Sequence, residues 1–232
     1  MWVKICANTC LEDALAAIDS KVDALGFVFA RSPRQVDAAQ VRAIVSHLPA
    51  YVETVGVFAS EDPHAIAESM QQSGLHTAQL HGGFNLPLAS ALQQRLGAKL
   101  SIIHTTHWNV GEEASSAQRV AAAIEQLAAA EDSPRLLIDA KLGTAAGGLG
   151  VSFNWQSAQP AFARAHQLGV RLILAGGLSP GNVAEAINKL HPWGVDVASG
   201  VEREPGRKSN ALLRSFIAAA NSAASGPDQR VR

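Results

Sequence analysis

The sequence predicts a single-domain α/β protein that folds as a closed (β/α)8 barrel, the TIM-barrel architecture. Short runs rich in Val, Ile, Leu and Phe alternate with longer Ala-rich stretches of helical period, the pattern of repeated βα units around a parallel sheet. Eight such units fit within the 232 residues. Because closed barrels of this type use about 250 residues, the count favours a barrel over the alternative, an open doubly wound sheet.

Each predicted strand is a short apolar run that is followed by a stretch of helical period. The eight predicted strands are 2–6, 23–29, 52–58, 76–80, 99–104, 135–139, 171–175 and 194–198.

Helix start signals agree with this division. Thr9, followed three residues later by Glu12, fits a capping box. Asp37 precedes a helical stretch, and Asp62 and Ser179 each precede a proline, which is favoured at the first helical position. These signals predict helices that begin directly after Thr9, Asp37, Asp62 and Ser179.

The domain is predicted to span 1–221. Residues 222–232, "SAASGPDQRVR", combine small, Gly, Pro and charged residues without periodicity, so we predict a flexible C-terminal tail there.

Composition excludes several partner classes. With 19 basic and 20 acidic residues well mixed, the chain lacks a field suited to nucleic acid or an anionic membrane surface. No stretch approaches the roughly 18 apolar residues of a membrane span, and no signal-peptide pattern opens the sequence. We therefore predict a cytoplasmic protein with a small-molecule partner.

The cysteines and histidines do not form a recognisable metal pattern. Cys6 and Cys10 are the two cysteines, and without a partner pair they predict neither a disulfide framework nor a zinc site. His104 and His107 are the nearest further candidates, far along the chain. We predict no metal.

Chemically capable residues fall at the carboxyl ends of the predicted strands, where barrel enzymes build their active sites. They are Cys6, Arg34, His81 and Asp139. Each also has an ordinary structural explanation: a small buried thiol, an exposed loop charge, a turn histidine and a loop brace.

Glycines follow strands 6, 7 and 8, where barrel enzymes collect phosphate on backbone N–H groups. Neither a P-loop nor a dinucleotide fingerprint is present, so no nucleotide cofactor is expected. The predicted phosphate-binding residues are Gly147, Gly148, Gly150, Gly176, Gly177, Ser199 and Gly200.

Taken in order, several motifs resemble the phosphoribosylanthranilate isomerase family of tryptophan biosynthesis. They are "KICANTCLEDA", "ALGFVFARSPRQV", "VGVF", "AQLHG", "LLIDA", "GGLGVSFNW", "LAGGLSPGNV" and "GVDVASGVE" with "PGRKS". The resemblance implies a cofactor-free Amadori rearrangement of a phosphorylated aminoaldose to an aminoketose. It also implies that Cys6 is the base and Asp139 the acid.

The sequence departs from the family pattern at two places. Ala7 stands where the family usually has Gly, which would cost about 1 kcal/mol if the position needs a positive φ. Leu149, Val151 and Asn154 replace Thr, Lys and Asp near the glycine-rich loop.

The proposed chemistry assigns further substrate contacts. Arg34 suits the anthranilate carboxylate, and His81 is expected to contact substrate as well. Lys4 lies two residues before Cys6 and should point into the barrel, where it could favour the thiolate. Because strand 8 neighbours strand 1, we expect Asp196 to pair with Lys4 or to contact the substrate amine.

Two rival functions remain open at this point. One is the histidine-pathway aminoaldose isomerase barrel, whose base and acid are both aspartates, in contrast to Cys6. The other is a phosphate-ligand-binding barrel without catalysis, which the altered loop over 149–154 motivates.

Overall fold

A computed structural model describes residues 1–97, 99–141 and 153–225, and in it eight parallel strands close into a barrel in chain order. This confirms the predicted (β/α)8 barrel. The strands are β1 (Trp2–Ile5), β2 (Ala24–Val28), β3 (Glu53–Phe58), β4 (Thr77–Leu80), β5 (Ser101–Asn109), β6 (Arg135–Lys141), β7 (Arg171–Leu174) and β8 (Gly194–Val197).

Helices alternate with the strands and cover the outside of the barrel. They are α1 (Leu11–Asp19), α2 (Ala38–Val45), α3 (Pro63–Ser73), α4 (Leu86–Leu96), α5 (Glu113–Ala130), α6 (Trp155–Gln167), α7 (Val183–Leu190) and α8 (Asn210–Ala224). In the part of the chain that the structure describes, none of these helices is long and apolar enough to cross a membrane.

Two helix starts are confirmed because their caps are local. The Asp37 carboxylate accepts a hydrogen bond from Gln40 N at 2.8 Å, and the Asp62 carboxylate accepts one from His64 N at 2.9 Å. In each case the side chain satisfies a backbone N–H that the first helical turn leaves free.

Two other helix starts are corrected. Thr9 does not cap α1, because its hydroxyl donates to the Gly206 carbonyl at 2.6 Å and the helix begins after Cys10. Ser179 does not cap α7 either. The chain turns from Ser179 to Asn182, whose side chain accepts from Ser179 N at 2.8 Å, and the helix begins at Val183.

Two predicted boundaries also move. β5 continues to Asn109 rather than ending at residue 104, because it pairs with β6 as far as Asn109 opposite Lys141. At the C-terminus, α8 runs to Ala224, so the predicted end of the domain at 221 falls within a helix. Of the predicted tail over 222–232, residues 226–232 lie outside the described residues.

Apolar residues fill two separate volumes. Inside the barrel, a cluster of fully buried strand residues includes Val55, Ile103, Leu137 and Ile173. A larger cluster lies between the strands and the surrounding helices. This division is the usual one for such barrels, in which the interior is a packed core and the chemistry is left to the carboxyl ends of the strands.

A short hairpin follows β8, and its residue Lys208 contacts the ends of two strands at the barrel mouth. It consists of a 3₁₀ turn, Ser199–Val201, and the antiparallel strands β9 (Glu202–Glu204) and β10 (Arg207–Lys208). This hairpin was not predicted from the sequence, and it carries two charged residues that prove important for the site.

Candidate active site

A pocket of about 490 Å³ opens at the carboxyl ends of the strands. It brings together most of the predicted site residues from distant parts of the chain. Those that line it are Cys6, Arg34, His81, Asp139, Gly176, Gly177, Asp196 and Ser199. Gly147, Gly148 and Gly150, together with Leu149 and Val151, lie outside the described residues.

Gly200 is placed differently from its prediction. It lies in the 3₁₀ turn after β8, packed closely against the Leu178 carbonyl, which a Cβ at this position would approach to 1.9 Å. Gly200 is therefore required by packing, and it is not among the residues that line the pocket. Its contact with phosphate stays a prediction.

Cys6 follows β1 directly and is 7% exposed. Its backbone N–H donates to the Val197 carbonyl at 2.8 Å, which fixes it against β8. Gly26 on β2 makes room for the thiol, because a Cβ at that position would lie 2.8 Å from Cys6 Sγ. The backbone and its neighbours thus hold the sulfur at one place in the pocket wall.

The turn after Cys6 contains the departure noted in the sequence. Ala7 has φ of 63°, in the left-handed region that glycine favours. The buried Asn8 stabilises this turn through its side-chain amide, which donates to the Ile5 carbonyl at 2.8 Å and the Gly26 carbonyl at 3.2 Å. The position therefore does need a positive φ, and alanine is strained there by about 1 kcal/mol.

Lys4 and Asp196 form an ion pair inside the barrel, as predicted. They are direct neighbours in the β1–β8 register, and Lys4 Nζ lies 2.7 Å from Asp196 Oδ1. Burial lowers the pKa of Lys4, but Asp196 and Cys6 together raise it by more, so the net pKa is above the ordinary value. Lys4 is therefore charged at neutral pH.

The expected effect of Lys4 on the thiol is only partly correct. Burial raises the pKa of Cys6; Lys4 opposes this, and Asp196 reinforces it. The net pKa lies above the ordinary value, because the charge of Lys4 is largely balanced by its carboxylate partner. Thiolate is thus a minor form of Cys6 at neutral pH.

Asp139 lies on β6, inside the pocket, with its residue 8% exposed. Burial and, to a smaller extent, Asp196 raise the pKa of its carboxyl, and Lys4 opposes the increase, so that the pKa is about 7. Close to half of the molecules therefore keep this carboxyl protonated at neutral pH. A carboxyl in this state can donate a proton.

His81 lies beside Asp139, with its Nε2 3.5 Å from Asp139 Oδ2. Burial and the neighbouring His107 lower the pKa of His81 to about 3. The imidazole is consequently neutral, and the contact with Asp139 is one between polar groups rather than between opposite charges.

Arg34 reaches the pocket, but one edge of its guanidinium is already occupied. Its Nε and Nη2 donate to the two carboxylate oxygens of Glu202 at 2.9 and 2.8 Å. The edge formed by Nη1 and Nη2 is the one that remains for a further acceptor. Glu202 thus orients Arg34, which sequence reasoning did not foresee.

Lys208 is the second charged residue that sequence reasoning missed. Its Nζ donates to the Cys6 carbonyl at 2.5 Å, the Ala198 carbonyl at 3.2 Å and Glu202 Oε1 at 3.2 Å. The motifs "GVE" and "PGRKS" contain Glu202 and Lys208, but they gave no sign that the two meet each other and Cys6.

The two unassigned histidines have different positions. His104 is fully buried, and its Nε2 lies 2.9 Å from Glu131 Oε1, away from the pocket. His107 lies in the part of β5 that continues beyond the predicted end at residue 104. It is opposite Asp139 in the register and lines the pocket. His107 Nε2 is 3.1 Å from the His81 carbonyl.

One group of described residues offers ligands that could hold a metal ion. His81, His107 and Asp139 each offer one ligand atom, and these three atoms lie within 4.8 Å of one another. Two imidazoles and a carboxylate are a donor set that suits zinc and related ions. The Asp139 carboxyl can also act through its proton, and the expectation that no metal takes part stays a prediction.

Asn154, one of the departures from the family pattern, has a structural role. It is the N-cap of α6, and its side-chain oxygen accepts from Gln156 N at 3.0 Å. Asparagine and aspartate serve almost equally well at this position, so the replacement preserves the helix start.

The fold and the pocket define a (β/α)8-barrel enzyme whose thiol and protonated carboxyl, on separate strands, are suited to acid–base chemistry on a small molecule. The chain belongs to the N-(5'-phosphoribosyl)anthranilate isomerase family, whose model matches residues 3–219.

Individual relatives agree with this assignment. The chain is 41% identical over 216 residues to the N-(5'-phosphoribosyl)anthranilate isomerase of Pelobacter propionicus, a match that covers 93% of both chains. It also resembles the crystal structure of the Thermotoga maritima isomerase, with 34% identity and a TM-score of 0.79 over 96% of this chain and 99% of that one. A crystal structure of the isomerase in complex with reduced 1-(o-carboxyphenylamino)-1-deoxyribulose 5-phosphate is 31% identical, with a TM-score of 0.77 and the same coverage.

Proposed function

We propose that this chain converts N-(5'-phosphoribosyl)anthranilate to 1-(2-carboxyphenylamino)-1-deoxyribulose 5-phosphate, an Amadori rearrangement, by general acid–base catalysis. The observation that carries the proposal is the arrangement of Cys6 and Asp139. Both line one pocket, from strands on different sides of the barrel, and the pKa of Asp139 is raised to about 7. The family membership supports the same reaction.

The first step opens the furanose ring. Asp139 donates its proton to the ring oxygen as the bond from C1 to that oxygen breaks, and the lone pair of the anthranilate nitrogen forms the C=N bond of an iminium ion. Asp139 is left as a carboxylate, close to the Lys4–Asp196 ion pair.

The second step removes the proton from C2. Cys6, as thiolate, takes this proton, and the electrons of the C2–H bond neutralise the iminium to give an enolamine, which tautomerises to the ketone. Because the cationic iminium acidifies the C2 proton, the small thiolate fraction of Cys6 is a sufficient base.

The remaining residues hold the two ends of the substrate. Arg34 would bind the anthranilate carboxylate with its free edge, while His81 and Asp196 contact the reacting sugar. The phosphate would lie on backbone N–H groups near Gly176, Gly177, Ser199 and Gly200, and on those of Gly147, Gly148 and Gly150.

The reaction itself is tested by following the fluorescence of phosphoribosylanthranilate during incubation with the purified protein. Catalysed consumption is the expected result, and the same protein should restore growth of a tryptophan auxotroph that lacks this isomerase. A non-catalytic phosphate-binding barrel would do neither. The histidine-pathway reaction would consume its own aminoaldose and leave phosphoribosylanthranilate unchanged.

Arg34→Ala should raise KM for phosphoribosylanthranilate about ten- to hundredfold, because a charge-assisted hydrogen bond to the carboxylate is worth about 1.5–3 kcal/mol. Steady-state kinetics with the purified variant measure this. Arg42→Ala, on the outer helix α2, is the control and should leave KM unchanged. An unchanged KM in Arg34→Ala would assign Arg34 to a structural role with Glu202.

Gly177→Asp should weaken the binding of both substrate and inorganic phosphate, because it brings a carboxylate to a backbone anion site. Gly177 has φ of 67°, so any side chain there is strained. Gly177→Asn separates this strain from the charge, since asparagine has the same size and tolerates the left-handed region.

The inhibition constant of phosphate should therefore be roughly tenfold higher in Gly177→Asp than in Gly177→Asn. Competitive inhibition measured with both variants provides this comparison. Equal inhibition constants would place the phosphate away from Gly177.

A further inference from the structure

Lys208 is a fully buried lysine that the acid–base mechanism does not use. Its side chain is 0% exposed, at the end of the hairpin strand β10. Burying an ammonium is costly unless its hydrogen bonds are satisfied, and here three oxygens accept from it. An apolar residue of the same size would avoid that cost. The three acceptors therefore indicate what the buried lysine holds in place.

The first two acceptors are main-chain carbonyls at the barrel mouth. The Cys6 carbonyl is 2.5 Å and the Ala198 carbonyl 3.2 Å from Nζ. These residues directly follow β1 and β8, which are neighbours in the barrel. The ammonium therefore joins two strand ends, one of which carries the proposed base.

The third acceptor is the carboxylate of Glu202, which also holds Arg34. Glu202 Oε1 lies 3.2 Å from Lys208 Nζ and 2.9 Å from Arg34 Nε. The Glu202 side chain is 4% exposed, so solvent screens this network little. Burial raises the pKa of Glu202, but Arg34 and Lys208 lower it below its ordinary value. The carboxylate is thus ionised and accepts hydrogen bonds from both side chains. Burial lowers the pKa of Lys208, and the charge of Glu202 opposes this effect.

We propose that Lys208 is a positioning residue that couples the two ends of the substrate pocket. Its ammonium fixes Cys6 through the Cys6 carbonyl, and it fixes the guanidinium of Arg34 through Glu202. The backbone of the base and the subsite for the aromatic carboxylate are then held by one cation. This inference rests on the proposed function for the roles of Cys6 and Arg34.

The first test does not depend on isomerase activity. The Lys208 charge also lowers the pKa of the Cys6 thiol, against the larger effect of burial. Lys208→Met in a Cys10→Ser background should therefore raise the Cys6 pKa further above its ordinary value. At a fixed pH below that pKa, the rate of Cys6 alkylation by iodoacetamide should fall about tenfold, measured by mass spectrometry.

Arg207→Met is the matched control, because Arg207 precedes Lys208 on the same strand and pairs instead with Glu12 and Asp13 outside the pocket. Alkylation at the parent rate in Lys208→Met would overturn the coupling to Cys6. This result would stand whether or not the protein is an isomerase.

The second test uses kinetics to separate the contact of Lys208 with the Cys6 carbonyl from its contact with Arg34 through Glu202. Glu202→Gln should raise KM about tenfold with little change in kcat, because it releases Arg34 but leaves the Cys6 carbonyl bonded to Lys208. Lys208→Met should raise KM and also lower kcat about tenfold. In an Arg34→Ala background the KM effects of both variants should disappear, while Lys208→Met should still lower kcat.

Full additivity of the KM effects with Arg34→Ala would overturn the proposal. If Lys208→Met does not fold, as judged by circular dichroism, Glu202→Gln alone tests the contact with Arg34. Lys208→Arg then tests the contact with the Cys6 carbonyl, since it keeps the charge but places it differently. Parent values of kcat and of the alkylation rate in Lys208→Arg would contradict a positioning role for this ammonium.

Discussion

Replacing Cys6 by alanine or serine is expected to lower kcat by about 10²–10⁴ with a much smaller change in KM, because each variant removes the proposed base. A serine hydroxyl stays protonated at neutral pH, whereas even a thiol of raised pKa supplies some thiolate. Steady-state kinetics with phosphoribosylanthranilate measure the loss, and thermal unfolding shows whether the variants keep the native structure.

Cys10→Ser is the matched control. Cys10 is the N-cap of α1 and makes no side-chain capping hydrogen bond, so its replacement should leave kcat near the parent value. Near-normal kcat in Cys6→Ser would reduce Cys6 to a packing residue against Gly26. The base would then have to be another side chain of the pocket.

Replacing Asp139 by asparagine should lower kcat by a similar factor, about 10²–10⁴, because the amide keeps the shape but cannot donate the proton to the ring oxygen. Asp132→Asn is the control, since Asp132 is exposed on the loop before β6, at the opposite face of the barrel. An unchanged kcat in Asp139→Asn would contradict the assignment of the acid.

The pH profile gives a second measurement of the same pair, and the order of the two pKa values decides its shape. The proposed mechanism needs Asp139 protonated and Cys6 deprotonated, yet the pKa of Asp139 is about 7 and that of Cys6 is raised above its ordinary value. The acid thus has the lower pKa, and the active combination is a minor form at every pH.

The pH dependence of kcat/KM follows from the fraction of protonated Asp139 and the fraction of Cys6 thiolate. Below about pH 7, Asp139 is protonated and kcat/KM rises with the thiolate fraction. Between the two pKa values the gain in thiolate cancels the loss of protonated Asp139, which gives a plateau. Above the Cys6 pKa, kcat/KM falls. The lower break therefore belongs to Asp139, and Asp139→Asn should abolish it. A lower break that persists in this variant would assign it to another group.

Local sequence was sufficient for the features that depend on neighbouring residues. The alternation of apolar runs and helical stretches predicted all eight strands and the closed barrel. Asp37 and Asp62 were recognised as helix caps because the hydrogen bonds that define them close within three residues. Cys6 and Asp139 were identified as candidates because parallel strands in a barrel end at one face.

Thr9 shows where local reasoning fails. The capping box is a valid signal, but the Thr9 hydroxyl bonds to Gly206, 197 residues away, and α1 begins without it. Ser179 fails for a related reason, because the Asn182 side chain closes a turn in front of α7.

The electrostatics of the site were decided by tertiary structure alone. The sequence placed Lys4 beside Cys6 and suggested an acidic thiol, but burial and the Asp196 carboxylate reverse the net shift. In the same way, Arg34 was predicted to bind a carboxylate without its partner Glu202, which is 168 residues away. Periodicity and caps are written in a few adjacent residues, whereas desolvation and ion pairing depend on which distant groups the fold brings together.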